Sequence, residues 1–468
     1  MSSPVRVFLT LSIAALVAVA NVKTFAQDQP KEPPKGLSLE QRGYWILLNK
    51  PLEANLLTEA EYDSLWKVWP EPLRARAEKA SPKVRREMAL ERFGFQDSPD
   101  RPAGSLPQQF TSDGKGGLTI NCLACHGGKV AGKVVIGLGN SHFNEGTFEE
   151  DMAKLFAQTG RKVQALPRLM PAVPTPPVRG VNNAFGTAIS FLSIRDRDLE
   201  LTPDKLQFPV PSYEAMDMPM RTPPYWHARR KKTFYYDGFV EKTHRDIMQF
   251  SLSLATTGKM ARGLEDDFKA VYAWINSVQP PKYSWAIDAN LADRGRVVFD
   301  AHCAGCHGKY GAKGTFPEKL ISLADVGTDP VRANLSTEFK KHLGQSWLGD
   351  YGKTRVRLDK GYLAPPLDGV WAMAPYLHNG SVPTLWHLLN PDKRPTVWLR
   401  SEDGYDTTKV GLEVQTFDRL PDAALSAHER RLYYQTRLRG LGNEGHRYPA
   451  KGLTEDETRT LIEYLKSL

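Results

Sequence analysis

The sequence predicts a mainly α-helical protein built of two similar units in tandem, joined by long irregular loops and carrying little strand. Three observations carry this. A Cys-x-x-Cys-His motif occurs twice, similar landmarks recur in the same order around each copy, and 34 prolines with 37 glycines make up about 15% of the 468 residues. The length suits two to three domains of ordinary size. At 41% hydrophobic and 25% charged the chain can bury a core, which excludes a disordered, collagen-like or coiled-coil protein. Lys plus Arg exceeds Asp plus Glu by 62 − 53 = +9, but bases and acids are interleaved. The charge selects no partner, and nothing in the sequence asks for nucleic acid.

In chain order, residues 1–26 place Arg6 before the apolar run Val7 to Ala20 and end at Thr24-Phe-Ala26, the pattern of a cleaved secretory signal peptide. The run is shorter than the ~20 residues a membrane span needs, so no transmembrane helix is expected in the mature protein. Residues 27–38 are polar and proline-rich and read as a flexible tether. Residues 39–95 read as a helical N-terminal extension, with a solvated helical face from Arg74 to Arg92.

The four cysteines are all used in Cys122-Leu-Ala-Cys125-His126 and Cys303-Ala-Gly-Cys306-His307. Two thiols three positions apart can each form a thioether with one vinyl group of a porphyrin, and the next histidine can then hold the iron from one side. A zinc site would need ligands much closer together than the 178 residues from Cys125 to Cys303, and a redox dithiol leaves the repeated histidine unexplained. The motifs imply two covalently bound haem c groups, with His126 and His307 as proximal iron ligands.

Around them the chain repeats itself. Before Cys303, Leu291, Arg294-Gly295, Val298 and Phe299 have helical spacing, as in the first helix of a small cytochrome c. Thr454 and Glu457 make a capping box before Leu461, Ile462 and Leu465, which share one face of a closing helix. Tyr272 to Val278 aligns with Ile462 to Leu468 at an offset of 190, and Pro280-Pro281 stops the earlier copy. Thr222-Pro-Pro224 through Asp237-Gly238 aligns with Ala364-Pro-Pro366 through Asn379-Gly380 at an offset of 142. The expected division is a cytochrome c-like haem domain over 39–281 and a second over 282–468.

Tyr235-Tyr-Asp-Gly238 and Ala374-Pro-Tyr-Leu-His-Asn-Gly-Ser-Val-Pro-Thr384 resemble the bacterial dihaem cytochrome c peroxidases and their methylamine-utilisation relatives. Thr222-Pro-Pro-Tyr-Trp-His227, His244 to Phe250 and Gly442-Asn-Glu-Gly-His446 look closest to the rubber oxygenase branch. The resemblance covers roughly residues 105–468. Two departures from the peroxidase pattern stand out: Ser253 to Gly258 lacks the acid-base glutamate, and Leu389 to Lys393 lacks the methionine ligand.

The resemblance implies a periplasmic or secreted oxidoreductase. Its first haem reacts with dioxygen or hydrogen peroxide, and its second, ligated by His307 and His446, transfers electrons. His378 is the rival to His446, and a histidine that fixes its own loop by hydrogen bonds is the plainer reading of it. His142 is a candidate distal ligand of the first iron against an open position. His342, His387 and His428 read as packing or surface residues. Tyr225, Trp226, Phe234, Tyr235 and Tyr236 are candidate aromatics around the first iron, with Trp226, Tyr235 and Tyr236 as distal or relay groups. The implied partners are an unsaturated apolar substrate, or a small cytochrome or cupredoxin donor if the chain is a peroxidase. A non-catalytic dihaem electron carrier is the alternative, and a calcium ion between the units is left open.

Overall fold

A computed structural model describes residues 32–161, 167–421 and 425–468. The expected signal peptide and residues 27–31 of the tether lie outside them. Two crossed helix pairs organise the rest. Ser38 accepts from the Gln41 amide and the Gln41 side chain returns to the Ser38 N–H, which starts the helix Leu39–Asn49. It packs on Glu265–Ser277. The second pair is Ala289–His302, capped by Asp288, against Glu455–Lys466, whose capping box is Thr454 with Glu457.

Both crossings need a glycine. A methyl group on Gly43 would overlap the Ala270 carbonyl, and one on Gly295 would overlap that of Thr460, so each pair of backbones meets where no side chain intervenes. One turn on, Trp274 and Tyr464 lie against the same glycines. Ala270 with Thr460 and Trp274 with Tyr464 differ by 190, the offset already read between the closing helices. Leu39–Asn49 is therefore the counterpart of Ala289–His302 in its contacts. Arg42-Gly43 with Ile46 and Leu47 matches Arg294-Gly295 with Val298 and Phe299.

The stretch from Arg74 to Arg92 is broken into Leu73–Lys79 and Pro82–Phe93, because Ser81 caps a new helix with Pro82 in its first position. Its last arginine is not solvated: Arg92 is buried, with Nε 2.6 Å from Asp151 Oδ2.

The hydrophobic cores mix segments from either side of residue 281. Leu335, Phe339, Leu343 and Trp347 join the core of the first helix pair, while Leu138, Val181 and Trp226 join that of the second. A third core gathers Trp69, Phe93, Phe95, Phe110 and Phe148. Asp237, Arg332 and Lys340 form a buried ion cluster across position 281, with Lys340 Nζ 2.9 Å from Asp237 Oδ2. Burial alone would raise the Asp237 carboxyl, but the two cations hold it below its usual range.

Among the described residues strand is confined to antiparallel pairings. Only Val397–Asp406 and Gly411–Phe417 exceed four residues. This hairpin carries Arg400 to the first half of the chain, where it meets Ser141 and His142. No helix is long and apolar enough to cross a membrane among the described residues.

Candidate functional site

The helix Ala289–His302 ends on Cys303, whose carbonyl accepts from the Cys306 and His307 amides at 3.1 and 3.0 Å. One tight turn thus presents both thiols and the imidazole. His307 Nδ1 donates to the Pro365 carbonyl at 2.8 Å, which fixes the tautomer with a lone pair on Nε2. Burial lowers the pKa of His307, against the opposing effect of that carbonyl. The His446 ring lies 6.2 Å from the His307 ring, centroid to centroid. Two iron–nitrogen bonds of about 2.0 Å plus two ring radii of about 1.2 Å amount to about 6.4 Å, so this spacing fits one iron held between two imidazoles. Burial pushes His446 down to about 3, so it too is neutral and able to ligate.

In the first half, Cys122 precedes the short helix Leu123–His126, which contains Cys125, and the His126 amide bonds to the Cys122 carbonyl at 3.0 Å. Burial lowers His126 to about 3, with the Pro223 carbonyl acting in the opposite sense. Pro223 and Pro365 are 142 apart and hold the same place in the repeated Pro-Pro segments, but among the described residues His126 Nδ1 is buried without a hydrogen-bond partner, whereas His307 Nδ1 bonds to Pro365. The Tyr225 ring stacks on the His126 ring at 3.7 Å and 10°, which fixes the imidazole's rotation. Among the described residues no histidine ring stands beside His126 as His446 stands beside His307.

Burial pushes the Cys122 and Cys303 thiols up to about 12 and raises Cys125 as well. No three His, Cys, Asp or Glu side chains converge as a metal cage among the described residues. The donor set suits thioethers and neutral imidazoles.

The remaining candidates fall in different places. Tyr236 and His378, which differ by 142, face each other at 6.2 Å. The main chain around them is reciprocal: Arg221 N–H donates to the His378 carbonyl at 2.8 Å, and Leu363 N–H donates to that of Tyr236 at 2.7 Å. Tyr235 and Leu377 share a left-handed backbone, φ 70° and 65°. The two loops are thus one structure used twice. His378 Nε2 is 3.0 Å from the Tyr362 hydroxyl. Tyr235 donates to the Asp246 carbonyl and stacks on Phe239. Trp226 packs in the second core and donates to the Asp368 carbonyl. His142 Nε2 lies 2.9 Å from both Arg400 Nη2 and the Glu402 carbonyl, accepting from the first or donating to the second. It borders an open cleft that none of the motif residues lines.

Other residues around these sites were not singled out by the sequence. Glu53 and Glu145 sit near Cys122 and Cys125, and burial raises each to about 8. Nothing in their local sequence pattern marks either of them. Asn379 and Arg394 support the loop that carries His446.

Comparison with known proteins gives three findings. The RoxA-like, cytochrome c-like family model matches residues 361–399, the stretch that holds Pro365, His378, Asn379 and Arg394. Two uncharacterized proteins of Sinorhizobium fredii, y4iM and y4iJ, are each 29% identical, over 52% and 42% of this chain. The alignments span 63% and 42% of those proteins, less than two thirds of either. The hydrazine synthase structure of Kuenenia stuttgartiensis aligns with 61% of this chain and 88% of its own at 16% identity, and a TM-score of 0.22 gives that likeness no weight. The family match supports a cytochrome c-like, haem-binding oxidoreductase.

Proposed function

We propose that the chain is an exported dihaem c-type oxidoreductase. One haem is held by Cys122, Cys125 and His126, the other by Cys303, Cys306, His307 and His446. Bound haem supplies electron transfer and, where an axial position is open, reaction with dioxygen or peroxide. The chain's own residues decide which site does which. Pro365 orients the His307 imidazole, Tyr225 fixes the rotation of His126, and His446 closes the second site.

The observation that carries the reading is the 6.2 Å pairing of His307 with His446, set against His126, which has a tyrosine beside it and no second histidine. The first site is therefore the reactive one and the second the electron-transfer one. The match to a RoxA-like domain and the lack of a carboxylate from Ser253 to Gly258 favour oxidative cleavage of an unsaturated apolar substrate over peroxidase chemistry.

Turnover of haem-loaded protein tests this. Dioxygen uptake with polyisoprene or another alkene is expected. Peroxide reduction with a reduced small cytochrome or cupredoxin would assign a peroxidase instead. Two haems that bind neither carbon monoxide nor cyanide would reject catalysis and leave an electron carrier.

A further inference from the structure

The segment Gly440 to His446 has no helix or strand of its own, yet it carries the histidine that pairs with His307. His446 sits in the left-handed region at φ 48°, and its amide donates to the Val326 carbonyl at 2.7 Å. The loop is otherwise held by side chains. Arg394 Nη1 donates to the carbonyls of Asn443 and Gly445 at 2.5 and 2.8 Å, while its Nε and Nη2 reach those of His387 and Leu388 at 3.2 and 3.0 Å. One guanidinium therefore ties the end of the helix Leu385–Leu389 to the two residues flanking Glu444. Asn379 Nδ2 donates to the Gly440 and Gly442 carbonyls at 3.0 and 2.8 Å, and the Gly442 amide donates to Asp329 Oδ2 at 3.1 Å.

We propose that Arg394 and Asn379 are positioning residues that clasp this loop and so hold His446 opposite His307. The inference rests on the reading of His446 as the second axial ligand. Asn379 aligns with Asp237, whose carboxylate instead receives Lys340 and Arg332. The same position thus braces a ligand-bearing loop in one half and a buried ion cluster in the other. Arginine suits the role because its planar fork gives several directed bonds at once; lysine would offer one flexible ammonium.

The test uses the full, haem-loaded chain, with Arg394→Lys and Asn379→Asp read against His446→Ala by electron paramagnetic resonance and carbon monoxide binding. Asn379→Asp keeps the volume but turns the donor into an acceptor facing two carbonyls. The expected result is that His446→Ala abolishes the low-spin signal of the second haem. Each clasp variant should convert at least a third of that signal to high-spin and speed carbon monoxide binding at least tenfold, with haem content unchanged. Added imidazole should restore the low-spin signal in all three. If His446→Ala leaves the signal intact, the ligand assignment fails. If only His446→Ala alters it while both clasp variants behave as the parent, the ligand assignment stands and the clasp is overturned. The two substitutions act on different contacts, so misfolding of one leaves the other decisive.

Discussion

At His307 the Pro365 carbonyl holds Nδ1 at 2.8 Å and the His446 ring lies 6.2 Å away. At His126 the imidazole Nδ1 is buried without a hydrogen-bond partner among the described residues, and the neighbouring ring is Tyr225, stacked at 3.7 Å. The attachment motif and the Pro-Pro segment are common to both, and the carbonyl brace is made at His307 only. What differs is supplied by residues far off in sequence: a loop braced by Asn379 and Arg394 in one half, an ion cluster built on Asp237 in the other. In the proposed reading the motif decides that a haem can be attached, and the later segments decide what its iron can do.

The comparison can be broken most severely at the attachment points. Replacing Cys122 and Cys125 by alanine should remove one haem's mass and its high-spin signal while the low-spin signal remains, as read by mass spectrometry and optical spectra. Replacing Cys303 and Cys306 should do the converse. Next in size is the ion cluster. Asp237→Asn imports the residue of the second loop and leaves Arg332 and Lys340 buried without a counter-charge, a loss of about 3–5 kcal/mol in denaturant unfolding. Milder still, Gly43→Ala and Gly295→Ala should each cost about 1–3 kcal/mol by prising apart one helix pair, and each should broaden the spectrum of its own haem only.

The smallest effect is the pH dependence contributed by Glu53, beside Cys122. Burial raises Glu53 from 4.5 to about 8, so its folded form favours the neutral acid. The stability tied to that proton is fully present below about pH 4.5 and lost as pH rises through about 8. A thermal melt of wild-type protein should therefore drop between pH 6 and 9 by more than that of Glu53→Gln, and equal slopes would reject the assignment.

Much of the local architecture was legible because its determinants are short-range. The closing helix is announced by Thr454 and Glu457 with apolar residues at helical spacing, and the second Pro-Pro landmark marks the Pro365 carbonyl that braces His307. Leu39–Asn49 was hidden as a partner of Glu265–Ser277 because long intervening chain separates it from Cys122, whereas Ala289–His302 runs directly into Cys303. Arg42-Gly43 was the available clue, and only the shared contacts of Gly43 and Gly295 give it meaning. The packing of Leu335 to Trp347 in the first core and the Arg400 contact with His142 depend on tertiary pairing, which leaves no local period to read. The clasp residues were hidden for a similar reason. Asn379 lay inside a quoted motif, but its partners at Gly440 and Gly442 are contributed by a loop without periodicity.

The most direct test of unequal haem sites is electron paramagnetic resonance of the ferric, haem-loaded chain before and after cyanide. One high-spin and one low-spin haem are predicted, with cyanide converting only the high-spin species. Two low-spin haems indifferent to cyanide, or two high-spin haems that both bind it, would contradict the account.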